Sequence, residues 1–528
     1  MSKVLMVHGY LLSGTGSNLY VRNIVKKMCE LGQDVILVCQ EFDPENYDFI
    51  ARCYRAKDGE HQLIFERETP YLGKCDIYIP DINNELLVYV WDRYRDLHVV
   101  EMKNATHEQI QSYLEGNAQT INYICSKYDI SHAYSNHLVL QPQYVARGIA
   151  EAGSQTKQII IGHGSDLNYA ISQSDYIKEL ARKTLASCDQ IVAVSHHSKQ
   201  LVQDTFPDLC FKSCEVISVG LDEQLFVDMT EADERSLIEG YFAQHDKGLG
   251  FSSKQACIIE EMVADEDFDF EAVQASYEPK DIEVGCIDSL LKTLYEQDGD
   301  LVVYLGKYLE QKGLIPLLLS IPLVLADNPQ AQFVMVGFGA LRAQLQYLSL
   351  LIQDDKLETL VQHGSKLGLT LEADKQAVTA LMSYLSDPAR RSHYRRGSQL
   401  LSSQLLFTGY LDQKIALRVL KQAQVSIFPS ILPEAFGMVI IEAMAAQSRP
   451  LVTDHSGFAE VLNLAQDCIP GLDTDGYRLP LDDQLIFSIA EKTQALLAQR
   501  DSAACTAMSE FALQRYGWEG ITKSLLDL

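Results

Sequence analysis

Short runs rich in β-branched and other apolar residues alternate along this chain with stretches whose apolar positions recur at helical spacing, and the alternation occurs in two series. Strand-like runs fall at residues 4–7, 34–39, 158–161, 190–194 and 216–219, then at 301–305, 333–336, 405–407, 425–428 and 451–453. Between the first two, Val21, Ile24, Val25 and Met28 sit at i, i+3, i+4 and i+7, one face of a helix. Strands that are apolar throughout are buried on both faces, the pattern of parallel sheets covered by helices. The expectation is an α/β chain with two doubly wound parallel sheets.

A chain of 528 residues with 47% hydrophobic content is too long for one core and has apolar surface enough for two. The expected division is an N-terminal Rossmann-like domain over 1–230, an acidic insertion over 231–300 and a C-terminal Rossmann-like domain over 301–510. A terminal helix, 511–528, is expected to pack back on the first domain. The acidic character is concentrated: residues 260–300 carry fourteen acidic side chains against Lys280 and Lys292. Such a stretch reads as a solvated insertion, or as a lid or an arm for a protein partner. A second insertion, about 367–403, carries the basic cluster ARRSHYRR at 389–396, read as an exposed helix face or as the counterpart of an anionic acceptor or of the acidic insertion.

The net charge of −28 opposes binding to nucleic acid or to anionic lipid through a general basic field, and favours a small molecule or a neutral partner. Twelve cysteines lie scattered without a Cys-x-x-Cys pair, so they read as buried thiols of a reducing, cytoplasmic setting. No signal peptide is expected at Met1, and the apolar run 314–326 is too short to span a bilayer and contains Pro316 and Pro322. Asp265, Glu266 and Asp267 resemble a metal-binding triplet but have no strand before them, so no metal site is expected.

Chemistry concentrates in ILPEAFGMVIIEAMAAQ, residues 431–447, where Glu434 and Glu442 stand eight positions apart in an otherwise apolar run. The strand before it ends at Pro429 and Ser430, and the carboxyl end of a strand is where open α/β sheets bind ligands. A helix expected from Phe436 would offer unpaired amides and a partial positive charge to an anion, with Gly437 allowing close backbone approach. At ~1.5 Å rise per residue the two carboxylates lie roughly 9 to 12 Å apart, a span that fits part of a nucleotide sugar. In the first series, GYLLSGTGSN at 9–18 places Gly14 and Gly16 where backbone amides can approach a phosphate or an acceptor. The third glycine of a dinucleotide fingerprint is replaced by Leu19, which argues against a nicotinamide dehydrogenase. His163, in IGHGSD, follows a strand with Gly162 and Gly164 on either side.

Taken together, PSILPEAFGMVIIEAMAAQSRPLVTDHSGFAEV resembles the signature of the family-four retaining glycosyltransferases, whose GT-B fold sets two Rossmann-like domains facing a cleft. YLGKYLEQKG at 304–313 is similar to the family's donor-diphosphate loop, with Lys307 and Lys312 where the family has Arg and Lys. Lysine keeps the charge but loses the bidentate fork. The resemblance implies diphosphate on Lys307, Lys312 and the backbone of Phe436, Gly437 and Met438. It places ribose on Glu442, sugar hydroxyls on Glu434 and His163, and the base beside Thr408, Gly409 and Tyr410. VISVGLDEQLF resembles the family's Asn-Gly-Val segment with the Asn missing, and RYGWEGITKSLL its last helix. The implied reaction is transfer of a sugar from a nucleoside-diphosphate sugar, a UDP-sugar first, to an unidentified acceptor, with no metal and no separate cofactor. Alternatives within the fold are a nucleotide-sugar epimerase, a phosphorylase or a non-catalytic nucleotide-sugar binder.

Overall fold

The computed structural model describes residues 2–14, 16–89, 94, 96–245, 282, 286–297, 299–499 and 501–528. The chain divides into two compact units, Met1–Asp222 with Tyr516–Leu528, and Glu223–Arg515. Asp265, Glu266, Asp267 and most of the acidic stretch lie outside the described residues.

Unit 1 contains β1 (Lys3–Val7), β2 (Val35–Val38), β3 (Ile50–Lys57), β4 (Glu60–Glu66), β5 (Cys75–Ile79), β6 (Glu85–Val88), β7 (His98–Glu101), β8 (Ile130–Asn136), β9 (Lys157–Gly162), β10 (Gln190–Ala193) and β11 (Cys214–Val216). Nine of them form one sheet in the order β11-β10-β9-β8-β1-β2-β5-β3-β4, while β6 pairs with β7. From Val4 to Val7 every residue of β1 is buried, as an all-apolar parallel strand must be. The expectation of a wholly parallel sheet needs one correction, because β3 and β4 pair antiparallel at the edge. Asp58 and Gly59, both at positive φ, close that hairpin.

A second correction concerns the last strand, which ends at Val216 rather than running over 216–219. Beyond it, Leu221 N donates to the Tyr516 carbonyl at 2.6 Å and Trp518 N to the Leu221 carbonyl at 3.3 Å. A Cβ at Gly220 would collide with the Trp518 ring, so this glycine is what lets the C-terminal segment close on unit 1. The helix Trp518–Leu526 follows, and the Leu525 carbonyl accepts from Tyr134 Oη at 2.8 Å.

Unit 2 contains β12 (Leu301–Leu305), β13 (Gln332–Val336), β14 (Leu405–Gly409), β15 (Val425–Phe428), β16 (Arg449–Thr453) and β17 (Arg478–Leu479). They form a parallel sheet in the order β14-β13-β12-β15-β16-β17. The chain runs outward from β12 to β14, then returns to the other side of β12 with β15. The loops after β12 and β15 therefore leave in opposite directions from adjacent strands, the switch point at which such sheets bind ligands. Unit 1 has the same reversal at β1, flanked by β2 and β8.

The flanks of the acidic stretch are built into unit 2. Helix Glu231–His245 buries Ile238, Tyr241 and Phe242, and helix Cys286–Tyr295 buries Cys286, Leu290 and Leu291. Buried Glu234 accepts from Gln422 Nε2 at 3.0 Å and Tyr295 Oη at 3.1 Å, with Arg418 at 3.4 Å. The second insertion folds as helices Glu372–Leu385, Pro388–Ser398 and Leu401–Gln404. Its basic cluster is not simply a solvated face: Arg391 pairs with Asp355 and Glu358, His393 with Asp327, and Arg390 covers the Tyr384 ring. Nor are all the cysteines buried, since Cys210 and Cys468 are exposed. No described helix is long and apolar enough to cross a membrane.

Candidate active site

Parallel pairing of β12 with β15 brings the loops after them together. A short turn, Glu310–Lys312, ends at Gly313, whose φ of 66° and contact with the Pro429 carbonyl leave no room for a side chain. That close approach sets Lys312 Nζ in direct ion-pair contact with Glu434 Oε1. Ser430 Oγ donates to the same oxygen at 2.5 Å.

The backbone of Glu434 is held from the far side by the start of helix Ser456–Cys468. Glu434 N donates to Ser456 Oγ at 2.9 Å and Gly457 N donates to the Glu434 carbonyl at 3.0 Å. His455 Nε2 lies 2.8 Å from the Ser430 carbonyl, which only accepts, so this nitrogen carries the hydrogen. Its Nδ1 lies 2.9 Å from Ser456 Oγ. The relay fixes one carboxylate, 17% exposed, in one orientation. Burial alone would raise its pKa, but the Lys312 charge and hydrogen bond, Ser430 and His455 outweigh it, and Glu434 titrates below the ordinary range.

The following helix is Met438–Ala445, two residues later than expected, because Gly437 at φ 85° cannot be its first helical residue and serves as N-cap instead. A Cβ there would collide with the Phe458 ring. Phe436 is buried ahead of the helix. Glycine offers this N-terminus no capping side chain; Ile440 N turns back to the Gly437 carbonyl at 3.1 Å, and the amides of Met438 and Val439 come before it. Glu442 lies on the same helix, 6% exposed, accepting from Gln413 Nε2 at 2.9 Å. Burial pushes its carboxyl up, and the Gln413 hydrogen bond only partly offsets this.

Lys307 is placed differently from Lys312: its Nζ lies over the Phe338 ring, 5.4 Å from the centroid. Gly409 ends β14 at φ 74°, and its carbonyl accepts from Gly337 N at 3.1 Å.

In unit 1, the carboxyl ends of β1, β8 and β9 carry His8, Asn136 with His137, and His163. The His137 and His163 ring centroids are 4.9 Å apart, those of His8 and His137 5.9 Å. Both ring nitrogens of buried His137 lack a hydrogen-bond partner, and its Nδ1 is 3.9 Å from Asp166 Oδ2. Burial pushes Asp166 up to about 6, although the amides of Leu138 and Leu167 donate to it at 2.7 and 2.9 Å. Burial and the neighbouring His8 push His163 down to about 3, so the ring is neutral near pH 7. Gly14, at φ 101°, lies in the loop after β1, and Gly16 opens helix Gly16–Glu30.

Sequence reasoning missed Ser430, His455, Ser456, Gln413, Asn136 and Asp166. Ser430, His455, Ser456 and Asp166 lie inside segments already singled out; Gln413 and Asn136 carry no spacing signal, since each meets its partner only through the fold.

Residues 388–475, which include Glu434 and Glu442, match the family model "Glycosyl transferases group 1". The chain is 24% identical over 242 residues to a phosphatidyl-myo-inositol mannosyltransferase of Mycolicibacterium smegmatis, covering 45% of this chain and 47% of that protein. It is 26% identical over 235 residues to the protein of that name from Mycobacterium tuberculosis, covering 44% and 47%. The match thus spans about half the length of these curated relatives. Among solved structures, a sucrose-phosphate synthase from Thermosynechococcus elongatus aligns with TM-score 0.51 and 14% identity, covering 100% of this chain and 98% of that one. The Anabaena protein HepE in complex with UDP and glucose aligns with TM-score 0.53 and 12% identity, covering 100% and 99%. The two Rossmann-like sheets with their switch points, and the whole-chain alignments to these solved structures, show a GT-B fold, and residues 388–475 of the second unit are similar to the group 1 glycosyl transferases.

Proposed function

We propose that the protein is a retaining glycosyltransferase that moves a hexose from a nucleoside-diphosphate sugar to an acceptor. The observation that carries this reading is the Lys312–Glu434 ion pair at the β12/β15 switch point, with buried Glu442 on the next helix. The diphosphate takes Lys312, Lys307 and the amides at the start of helix Met438–Ala445. Ribose hydroxyls donate to Glu442, whose carboxylate can then offset its burial by ~1.5 to 3 kcal/mol per charged hydrogen bond. Sugar hydroxyls meet Glu434, the base borders Thr408, Gly409 and Tyr410, and His163 of unit 1 is kept as a hydroxyl-binding residue.

As the bond from the anomeric carbon to the diphosphate oxygen breaks, negative charge grows on the leaving group. A lysine ~4 Å away is worth at most ~4 kcal/mol there at an effective dielectric near 20. The acceptor oxygen bonds to the same face of the anomeric carbon, and its proton passes to the leaving diphosphate. The HepE structure with UDP-glucose makes UDP-hexoses the first donors to try, and the mannosyltransferase names of the relatives add mannose donors and inositol lipids to the panel. The test is incubation with UDP-, GDP- and ADP-hexoses over an acceptor panel, with the anomeric proton of the product read by NMR. An α-linked product from an α-linked donor is expected; an inverted product, or donor binding without transfer to any acceptor, contradicts the reading.

A further inference from the structure

Two asparagines of unit 1 fix two histidines in the same way. Asn136 Nδ2 donates to the Val7 carbonyl at 3.0 Å and lies 3.2 Å from Met6 Sδ, while its Oδ1 faces His163 Nε2 at 2.9 Å. A backbone carbonyl can only accept, so turning this amide round would set two oxygens against each other. Oδ1 can also only accept, and the hydrogen between it and His163 therefore sits on Nε2. In the neutral ring this leaves Nδ1 as a lone pair. Asn18 repeats the device: its Nδ2 donates to the Ser13 carbonyl at 2.5 Å and its Oδ1 lies 2.8 Å from His8 Nε2.

We propose that Asn136 is a positioning residue that locks His163 as the Nε2–H tautomer, so that His163 meets its ligand only as an acceptor, through Nδ1. The ring then selects a group with a proton to donate, a hydroxyl, and discriminates against an anionic or carbonyl oxygen at that point. That the hydroxyl belongs to a sugar rests on the transfer reading above; the tautomer does not. Among the described residues, the titratable groups around His163 are His137 on the loop after β8, Tyr20 on helix Gly16–Glu30, His8 after β1, and Asp166, which faces His137. None of these contacts supplies a carboxylate to the His163 ring itself. A ring that titrates near the foot of the acid range is too weak a base to take an acceptor's proton at neutral pH, which leaves His163 to orient rather than to deprotonate.

The test is nitrogen-15 NMR of histidine-labelled full-length protein, with the His163 signals assigned by their loss in His163→Gln. The expected pattern is a protonated Nε2 and an unprotonated Nδ1, unchanged from about pH 8 to about pH 5, where a free histidine would titrate. A proton on Nδ1, or titration at an ordinary histidine value, overturns the proposal. Asn136→Asp keeps the shape but puts a carboxylate on Nε2, so the His163 pKa should rise and transfer should fall as pH drops through the new value, with recovery at higher pH. A loss of transfer independent of pH overturns the positioning role. Because the NMR reading needs no turnover, an expected spectrum with no transfer from any donor would sink the sugar-transfer reading alone.

Discussion

Lys312 and Glu434, 122 positions apart in sequence, are in direct ion-pair contact at the carboxyl ends of adjacent strands β12 and β15. The contact makes one prediction about catalysis. In Lys312→Ala, charge that grows only in the transition state loses its partner, whereas Lys307 and the helix amides still hold the ground-state diphosphate. Turnover should fall about a hundredfold and donor affinity less than about tenfold. Steady-state kinetics beside calorimetric titration checks this; an equal loss in both would make Lys312 a plain binding residue.

Glu442 should show a conflict between binding and stability. Its buried carboxyl is raised in the folded chain. A raised acid costs nothing below its unfolded pKa, and the cost grows as pH climbs from there through the folded value. Glu442→Gln should therefore melt higher than the parent at about pH 8 and no higher at about pH 4, while binding the donor about tenfold more weakly, about 1.4 kcal/mol. A lower melting point at the higher pH, or unchanged affinity, contradicts the assignment.

Asp374 allows the same reasoning at a residue that has no role in the proposed chemistry. Both its oxygens are buried without a partner, and burial, with Glu310 nearby, pushes it up to about 7. The parent should lose stability as pH rises from about 4, the unfolded value, to about 7, and Asp374→Asn should remove that slope and gain about 1–4 kcal/mol at about pH 8. Chemical denaturation across pH measures it; parallel profiles for the two chains would contradict the burial argument.

Gly437 combines a positive φ with contact against Phe458. Gly437→Ala should cost about 1–3 kcal/mol from backbone strain plus a steric part. Adding Phe458→Ala should relieve only the steric part, so the double variant should be more stable than the two single changes summed. Strict additivity in thermal unfolding would mean that the ring does not limit this turn.

Much of this was legible in the sequence because it is local. Glu434 and Glu442 stand in one strand, loop and helix, and the apolar runs of β12 and β15 announce themselves. The offset of the helix start to Met438 was not, since it depends on the left-handed Gly437 pressed against Phe458. β8 was missed because Ser131, His132, Ser135 and Asn136 make it polar; the side chains of Ser131, Ser135 and Asn136 are taken up there by the Lys3 and Ile159 carbonyls of the neighbouring strands and by the Val7 carbonyl with His163. The Asp58-Gly59 hairpin was written in the chain, but an edge pair adds an antiparallel strand to an otherwise parallel pattern. The pairings of Lys312 with Glu434, Gln413 with Glu442 and Asn136 with His163 follow from strand order, which no spacing rule encodes.

In the proposed function, unit 2 grips a nucleoside-diphosphate sugar through Glu442 and the Lys312–Glu434 pair. Thermal unfolding of the parent and of Glu442→Ala in saturating UDP-, GDP- and ADP-hexoses tests it, because a ligand present at a hundred times its Kd stabilises the native state by ≈ 2.7 kcal/mol. The expected result is a rise of several degrees with at least one donor, cut by about half or more in Glu442→Ala. No rise with any donor, or the same rise in both proteins, would contradict it.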